Sequence, residues 1–201
     1  MKKIPFLILA GFLLLFTSCG NTKYHYHFEK GRMIDFSEGE WILNRPYTNY
    51  NEERIKKVAL KGFKKVLGDS LVSIDDLSQR KEVPKYMPQD PSTEQLQYLQ
   101  KATGMDFLIT VESNMIKNEM GSFAHAPSVG FSTQTNEAGI SIKIYDLNSQ
   151  ELLSESNVAA IAKVTKSEDD NSWDYVNNAE TLSMQGVKKL IKKYRRYGIT
   201  E

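Results

Sequence analysis

The feature that most constrains this chain is its sulfur. Cys19 is the only cysteine in 201 residues, and it stands directly behind an apolar run. A single thiol can close no internal disulfide, so whatever folds here must be held by an ordinary hydrophobic core. The residues ahead of Cys19 divide into a basic start at Lys2 and Lys3, an apolar run from Ile4 to Phe16, and the small pair Thr17-Ser18. That three-part layout belongs to an export signal. The run is broken by Pro5 and Gly11 and is shorter than the ~20 residues a membrane-spanning helix needs. Residues 1–18 are therefore expected to be removed as a signal peptide.

Phe16-Thr17-Ser18-Cys19 resembles the lipobox of bacterial lipoproteins, with Phe16 where Leu is usual. The resemblance implies that Cys19 becomes the first residue of the mature chain and carries fatty acyl chains. Two or more such chains hold a protein on a membrane stably, whereas one gives only marginal binding. Gly20 follows Cys19, where an Asp would be the inner-membrane retention signal of some bacteria. By the same resemblance the outer membrane is expected, with the domain facing the periplasm and membrane lipid as the first partner.

The chain has 26 Lys and Arg against 25 Asp and Glu, and removing Lys2 and Lys3 leaves 24 against 25, a formal charge of about −1. No overall charge drives such a protein onto nucleic acid. Residues 19–38 are polar and irregular apart from Tyr24-His25-Tyr26-His27-Phe28, and are read as a lipid-attached tether with room for one short strand. Residues 39–198 make one domain, with no internal repeat.

Within the domain, Glu40-Trp41-Ile42-Leu43-Asn44, closed by Pro46, suits a first strand. From Glu52 to Leu67, Ile55, Val58, Ala59, Gly62, Phe63, Val66 and Leu67 recur at helical spacing, between a capping Asn51 and a terminating Gly68. Leu71 to Ile74 reads as a second strand. Ser92-Thr93-Glu94-Gln95 fits a capping box that opens a helix ending at Gly104. Phe107 to Val111, apolar almost throughout, reads as a central strand covered on both faces. Ile140, Ile142 and Ile144 alternate with polar residues, Asp146 to Gln150 makes a turn, and a last strand carries Leu152, Val158, Ala160, Ala162 and Val164. A final helix starts near Ala179. The order is β-α-β-α-β-β-β-α, which implies an α/β fold: a mixed five-stranded sheet flanked by three helices.

Two passages carry a further resemblance. Lys101-Ala102-Thr103-Gly104-Met105-Asp106-Phe107-Leu108-Ile109-Thr110-Val111 is similar to a helix-Gly-Ala-Asp-strand passage. Ile144-Tyr145-Asp146-Leu147-Asn148-Ser149-Gln150-Glu151-Leu152-Leu153 is similar to a hairpin in which Gly often stands at the place of Gln150. Both resemble the exported lipoproteins with an anticodon-binding-like domain. That group includes the amino-terminal domain of TolB, lipoprotein activators of penicillin-binding proteins, and the periplasmic domain of the curli secretion channel. The resemblance covers most of the domain and implies proteins that recruit partners.

Chemistry is harder to find. The chain lacks Gly-x-Ser-x-Gly, the phosphate-binding Gly-x-x-x-x-Gly-Lys motif and His-Glu-x-x-His. No catalytic residue, metal or cofactor is therefore assigned, and the protein is expected not to be an enzyme. His25 and His27 form a His-x-His pair, but a transition-metal site wants three or four ligands. Glu168-Asp169-Asp170 lacks the spaced oxygens of a calcium loop. Asp75-Asp76 follow a strand, where neighbours point apart, so a turn or helix-capping role is expected.

The most distinctive surface feature is basic. Lys56, Lys57, Lys61, Lys64 and Lys65 fall mostly opposite the apolar stripe of the first helix, and Lys188, Lys189, Lys192, Lys193, Arg195 and Arg196 do so on the last. A lysine run is ordinarily a solvated face. Its functional reading is docking to something acidic, and a cell-envelope protein is the expected partner, with nucleic acid excluded by export and near-neutral charge. The leading expectation is a membrane-anchored, non-enzymatic protein-binding adaptor or assembly factor of the envelope. The alternative is a subunit of an oligomeric outer-membrane secretion pore, although Lys117, Asn118, Glu119 and Pro127 interrupt the apolar alternation a spanning hairpin needs. Oligomeric state is left open.

Overall fold

A computed structural model describes residues 22–31, 33–80, 83–119, 131–167 and 176–198. The expected signal, Cys19, Pro127 and Glu168 to Asp170 lie outside them. The strands are β1 (Thr22–Lys30), β2 (Trp41–Leu43), β3 (Tyr47–Thr48), β4 (Leu71–Ser73), β5 (Phe107–Asn118), β6 (Phe131–Asp146) and β7 (Glu151–Ser167). Among the described residues the helices are α1 (Glu52–Leu67), α2 (Ile74–Arg80), α3 (Thr93–Thr103) and α4 (Ala179–Tyr197), with a 3-10 turn at Gly68–Ser70.

The expected α/β class holds, and its element count is corrected. The strands form one mixed sheet of seven, ordered β1-β7-β6-β5-β2-β4 with β3 beside β5. β2 pairs with β4 and β5 in parallel, as two helical crossovers require. The β5-β6-β7 meander and β1 are antiparallel. The two strands missing from the expected five are β1 and β3, and the fourth helix is α2. Thr22 to Lys30, read as tether, is a nine-residue edge strand running against β7 from Thr22 opposite Ala162 to Lys30 opposite Glu155. Its Tyr24, Tyr26 and Phe28 pack on the main core while Lys23, His25 and His27 are exposed. The alternation was visible in the sequence, but the surface that makes it a strand is supplied by β7 and α4.

The sheet divides the core in two. Trp41, Leu43, Ile109, Val111, Ile140, Ile142 and Ile144 face α1 and α4. Ile42, Leu108, Tyr145 and Leu147 face the other way, against Ile74 and Leu77 of α2, Met87, and Leu96 and Leu99 of α3. β2 and the start of β5 are therefore covered on both faces, which explains their apolar runs.

The caps follow the sequence. Asn51 accepts from the Arg54 amide at 3.2 Å. Ser92 and Gln95 close the capping box at 3.3 and 2.9 Å, and Asn178 accepts from the Thr181 amide at 2.7 Å. The two passages that carry the family resemblance are joined by Asp106. Its carboxylate accepts from the Glu40 amide at 2.9 Å and from the Asn148 side chain at 3.0 Å, tying the entry to β2 to the β6–β7 turn. Gln150 sits in that turn at φ 60°, the left-handed region. Its amide donates to the Leu147 and Asn148 carbonyls at 2.9 and 2.6 Å, which offsets the strain a glycine would avoid.

α4 lies unusually close to its neighbours. A Cβ at Gly186 would fall 2.4 Å from Ile140 Cδ1 on β6, and one at Gly62 would fall 2.7 Å from Ile191 Cδ1, so helix meets sheet and helix meets helix over hydrogen atoms alone. The Tyr194 hydroxyl donates or accepts at 2.8 Å with Ser154 and bonds Ser156 at 2.7 Å, so its buried oxygen is satisfied. Replacing Gly186 with Val should lower stability by about 1–3 kcal/mol through overpacking. Urea denaturation of the variant against wild type checks this.

Candidate functional site

Of the eleven basic residues singled out on α1 and α4, the fold brings six together. Lys57, Lys61 and Lys65 from α1 and Lys188, Lys192 and Arg195 from α4 line one groove of about 560 Å³. Its floor is Val58, Gly62, Val66 and Ile191. The two helices run side by side in the same direction: the Arg54 guanidinium meets the Glu180 carboxylate at 2.7 Å near both starts, and Gly62 meets Ile191 further along. Gly62 sets the depth of the groove, because it lets Ile191 close the floor.

The spacing explains the rim. On each helix the cations recur every three or four residues, on one stripe one above the other. The acidic residues of the same helices are confined to their first turns, Glu52 and Glu53 on α1 and Glu180 on α4, where the helix dipole favours them; Glu53 stands one turn before Lys57, at the head of its row. Among the described residues no acidic side chain lies within 4.0 Å of any of the six. Like charges at i,i+4 cost a helix about 0.2–0.5 kcal/mol per pair. The rim therefore holds unneutralised charge above an apolar floor, which suits an anionic ligand with an apolar side.

The other five basic residues are placed differently. Lys189 lies 4.5 Å from the Tyr24 ring centre, and Lys193 lies 4.7 Å from that of Tyr26 and 5.8 Å from that of Tyr197. These two cover the edge where β1 meets α4, assisted by the Tyr24 hydroxyl, which donates to Gln185 at 2.6 Å. Arg196 sits 5.9 Å from the Tyr197 ring centre. Lys64 is exposed outside the groove.

Lys56 turns inward to Asp75, expected in a turn or helix cap, and to Arg45, which the sequence did not single out; nothing local announces that the three meet. Asp75, in the first turn of α2, is buried and ion-paired with Lys56 and, at 2.5 Å, with Arg45, while adjacent Asp76 is exposed. This is a joint between α1, α2 and the residue stretch after β2. Burial pushes the Asp75 carboxyl up, but the hydrogen bonds and charges of Lys56 and Arg45 outweigh it and hold the group below its ordinary value. His25 and His27 stand on the exposed face of β1. Among the described residues no three His, Cys, Asp or Glu side chains gather as a metal-holding group.

No protein-family model and no curated protein sequence matches the chain. Solved structures do. The PelC dodecamer from Paraburkholderia phytofirmans superposes with a TM-score of 0.51 at 5% identity, over 86% of this chain and 98% of that one. The likeness is one of fold. Lipoprotein GNA1162 from Neisseria meningitidis gives a TM-score of 0.36 at 10% identity over 79% and 99% of the two chains. The hypothetical protein CT253 from Chlamydia trachomatis gives 0.37 at 11% identity over 80% and 98%. The comparison with PelC thus shows the α/β architecture and leaves the six-cation rim to be read from this chain alone.

The Asp75 joint predicts a pH dependence. A carboxyl whose folded pKa lies below its unfolded value of ~3.9 stabilises the fold fully above that value. The contribution disappears as pH falls through the folded pKa. Thermal unfolding of Asp75→Ala should show a loss of about 2–3 kcal/mol at pH 7, from two cations left without their carboxylate. The gap to wild type should narrow below about pH 4, where wild type also loses the charge.

Proposed function

We propose that this chain is a lipid-anchored protein of the bacterial envelope that carries out no chemistry of its own and holds another envelope protein in the α1/α4 groove. The observation that carries the reading is the groove itself: six cations, none within 4.0 Å of a described acidic side chain, ring an apolar floor in a chain whose total formal charge is near zero. The anchor is supported by the lipobox-like Phe16 to Cys19 and by the export-signal layout before it. No helix among the described residues is long and apolar enough to cross a membrane. The likeness of the Lys101–Val111 and Ile144–Leu153 passages to TolB-type and curli-channel domains supports a recruiting role at the outer membrane, on its periplasmic side.

Purification from membranes tests both halves. The mature amino-terminal peptide should begin at Cys19 and weigh more than its amino acids by the mass of its acyl chains. Wild-type protein on beads should retain an envelope protein that Lys61→Glu/Lys192→Glu retains at least tenfold less. A native chain that keeps residues 1–18 or a free Cys19 thiol contradicts the anchor, and equal retention by both proteins contradicts the groove.

A second reading, a subunit of an oligomeric secretion pore, draws on PelC having been solved as a dodecamer. It also draws on the lengths of β5, β6 and β7, which at 12, 16 and 17 residues are long enough to span a bilayer. Against it, the end of β5 carries Lys117, ion-paired with Glu119 at 2.8 Å, and Glu119 also accepts from the Thr135 amide at 2.6 Å. Light scattering in neutral detergent separates the readings, with a ring of many chains required by the pore and a mass near one chain expected of the adaptor.

A further inference from the structure

The geometry points to the occupant of the groove: we propose that it is an acidic amphipathic helix contributed by a partner protein, and that the anionic headgroups of the membrane carrying the anchor are not. The inference deepens the docking reading above and rests on it.

Three observations select this chemistry. The first is the floor. A charged polymer or a headgroup needs cations alone, whereas the half-buried Val58 and Val66, backed by buried Ile191, offer an apolar strip that an occupant with its own apolar side covers. The second is the shape. Lys57 to Lys65 and Lys188 to Arg195 are two rows of cations on helices running the same way, each row about 11–12 Å long at the helical rise. An amphipathic helix laid along that trough sets apolar side chains at i, i+4 and i+7 on the floor, and its flanking Asp and Glu fall beside the two rows. Two to three turns of helix match the length of the rows.

The third is position. The Asn177 side chain donates to the Thr22 hydroxyl at 3.1 Å, so the start of β1 lies at the amino-terminal end of α4. Cys19 stands three residues before Thr22, a covalent reach of at most about 11 Å. The α4 residues of the groove lie ten to seventeen positions beyond Asn178, about 15–25 Å along the helix from the anchored end. The screening length at physiological salt is ~8 Å, so even with that reach subtracted the far end of the rim, at Arg195, is screened from headgroup charge at the anchored end.

The test uses the purified full chain in neutral detergent and a fluorescein-labelled 14-residue peptide with Leu at positions 4, 8 and 11 and Glu flanking them. A second peptide has the same composition with the Leu and Glu order scrambled so that no apolar face forms. The third probe is vesicles of phosphatidylglycerol and phosphatidylethanolamine. The patterned peptide should bind measurably by anisotropy, the scrambled one at least fivefold more weakly. Lys61→Glu/Lys192→Glu should weaken the patterned peptide at least tenfold. Lys64→Glu/Lys101→Glu, which reverses two exposed lysines outside the groove, should leave it within twofold. Val66→Ser, which keeps every charge, should weaken the patterned peptide and not the scrambled one. Equal binding of the two peptides overturns the proposal in favour of a bare polyanion site. Vesicle binding that depends on Lys61 and Lys192, with no peptide binding, overturns it in favour of lipid. Either result leaves the retention experiment on envelope proteins to decide the docking reading separately.

Discussion

The close seating of α4 governs the structure. Gly186 lets the helix down onto Ile140 of the sheet, Gly62 lets α1 approach Ile191, and Tyr194 drives a hydroxyl to Ser154 and Ser156 through an otherwise apolar layer. Three contacts on three sides leave the helix no freedom to rotate about its axis. A turn by one residue, about 100° at 3.6 residues per turn, would bury a lysine and lift Ile191 or Tyr194 into solvent. The basic residues are thereby sorted: Lys188, Lys192 and Arg195 go to the α1 side, and Lys189 and Lys193 to the tyrosines of β1.

This sorting gives a near-neutral chain a strongly polar surface. Where charge is structural it is paired, as in the Asp75 joint with Lys56 and Arg45 and in the Arg54–Glu180 bridge that pins the starts of α1 and α4. Around the groove no described acidic side chain comes within 4.0 Å of a cation, and Glu53, one turn before Lys57, is the acid at the head of the α1 row. Stability alone would favour glutamates at more of those i+4 positions than the one Glu53 fills before Lys57, and the docking proposed above would offset that cost.

What could be read from residues alone follows from how local each signal is. The periodicity of Ile55, Ala59, Phe63 and Leu67 and of Leu182, Leu190 and Tyr194 encodes its own helices, and Ser92 with Gln95 encodes a start. The β6–β7 hairpin was legible because Asp146 folds back on the amides of Asn148 and Ser149 within its own turn. β1 was legible only as a short alternating stretch within a tether, because its partner strand begins more than a hundred residues later and nothing near Tyr24 names that partner. α2 was hidden for a different reason: Asp75 and Asp76 favour a turn locally, and tertiary ion pairs with Lys56 and Arg45 fix Asp75 in a helix instead. The basic residues were visible as two separate faces. Which six share a groove depends on the Gly62–Ile191 contact, which no local pattern records.

The groove is the surface proposed to meet a partner. A photo-activatable amino acid placed at Lys61 and, in a separate strain, at exposed Ala159 on the opposite face of the sheet would test it in intact envelopes. Illumination should yield a discrete adduct of higher mass from position 61 and none from position 159. The same adduct from both positions, or an adduct from position 159 alone, would contradict it.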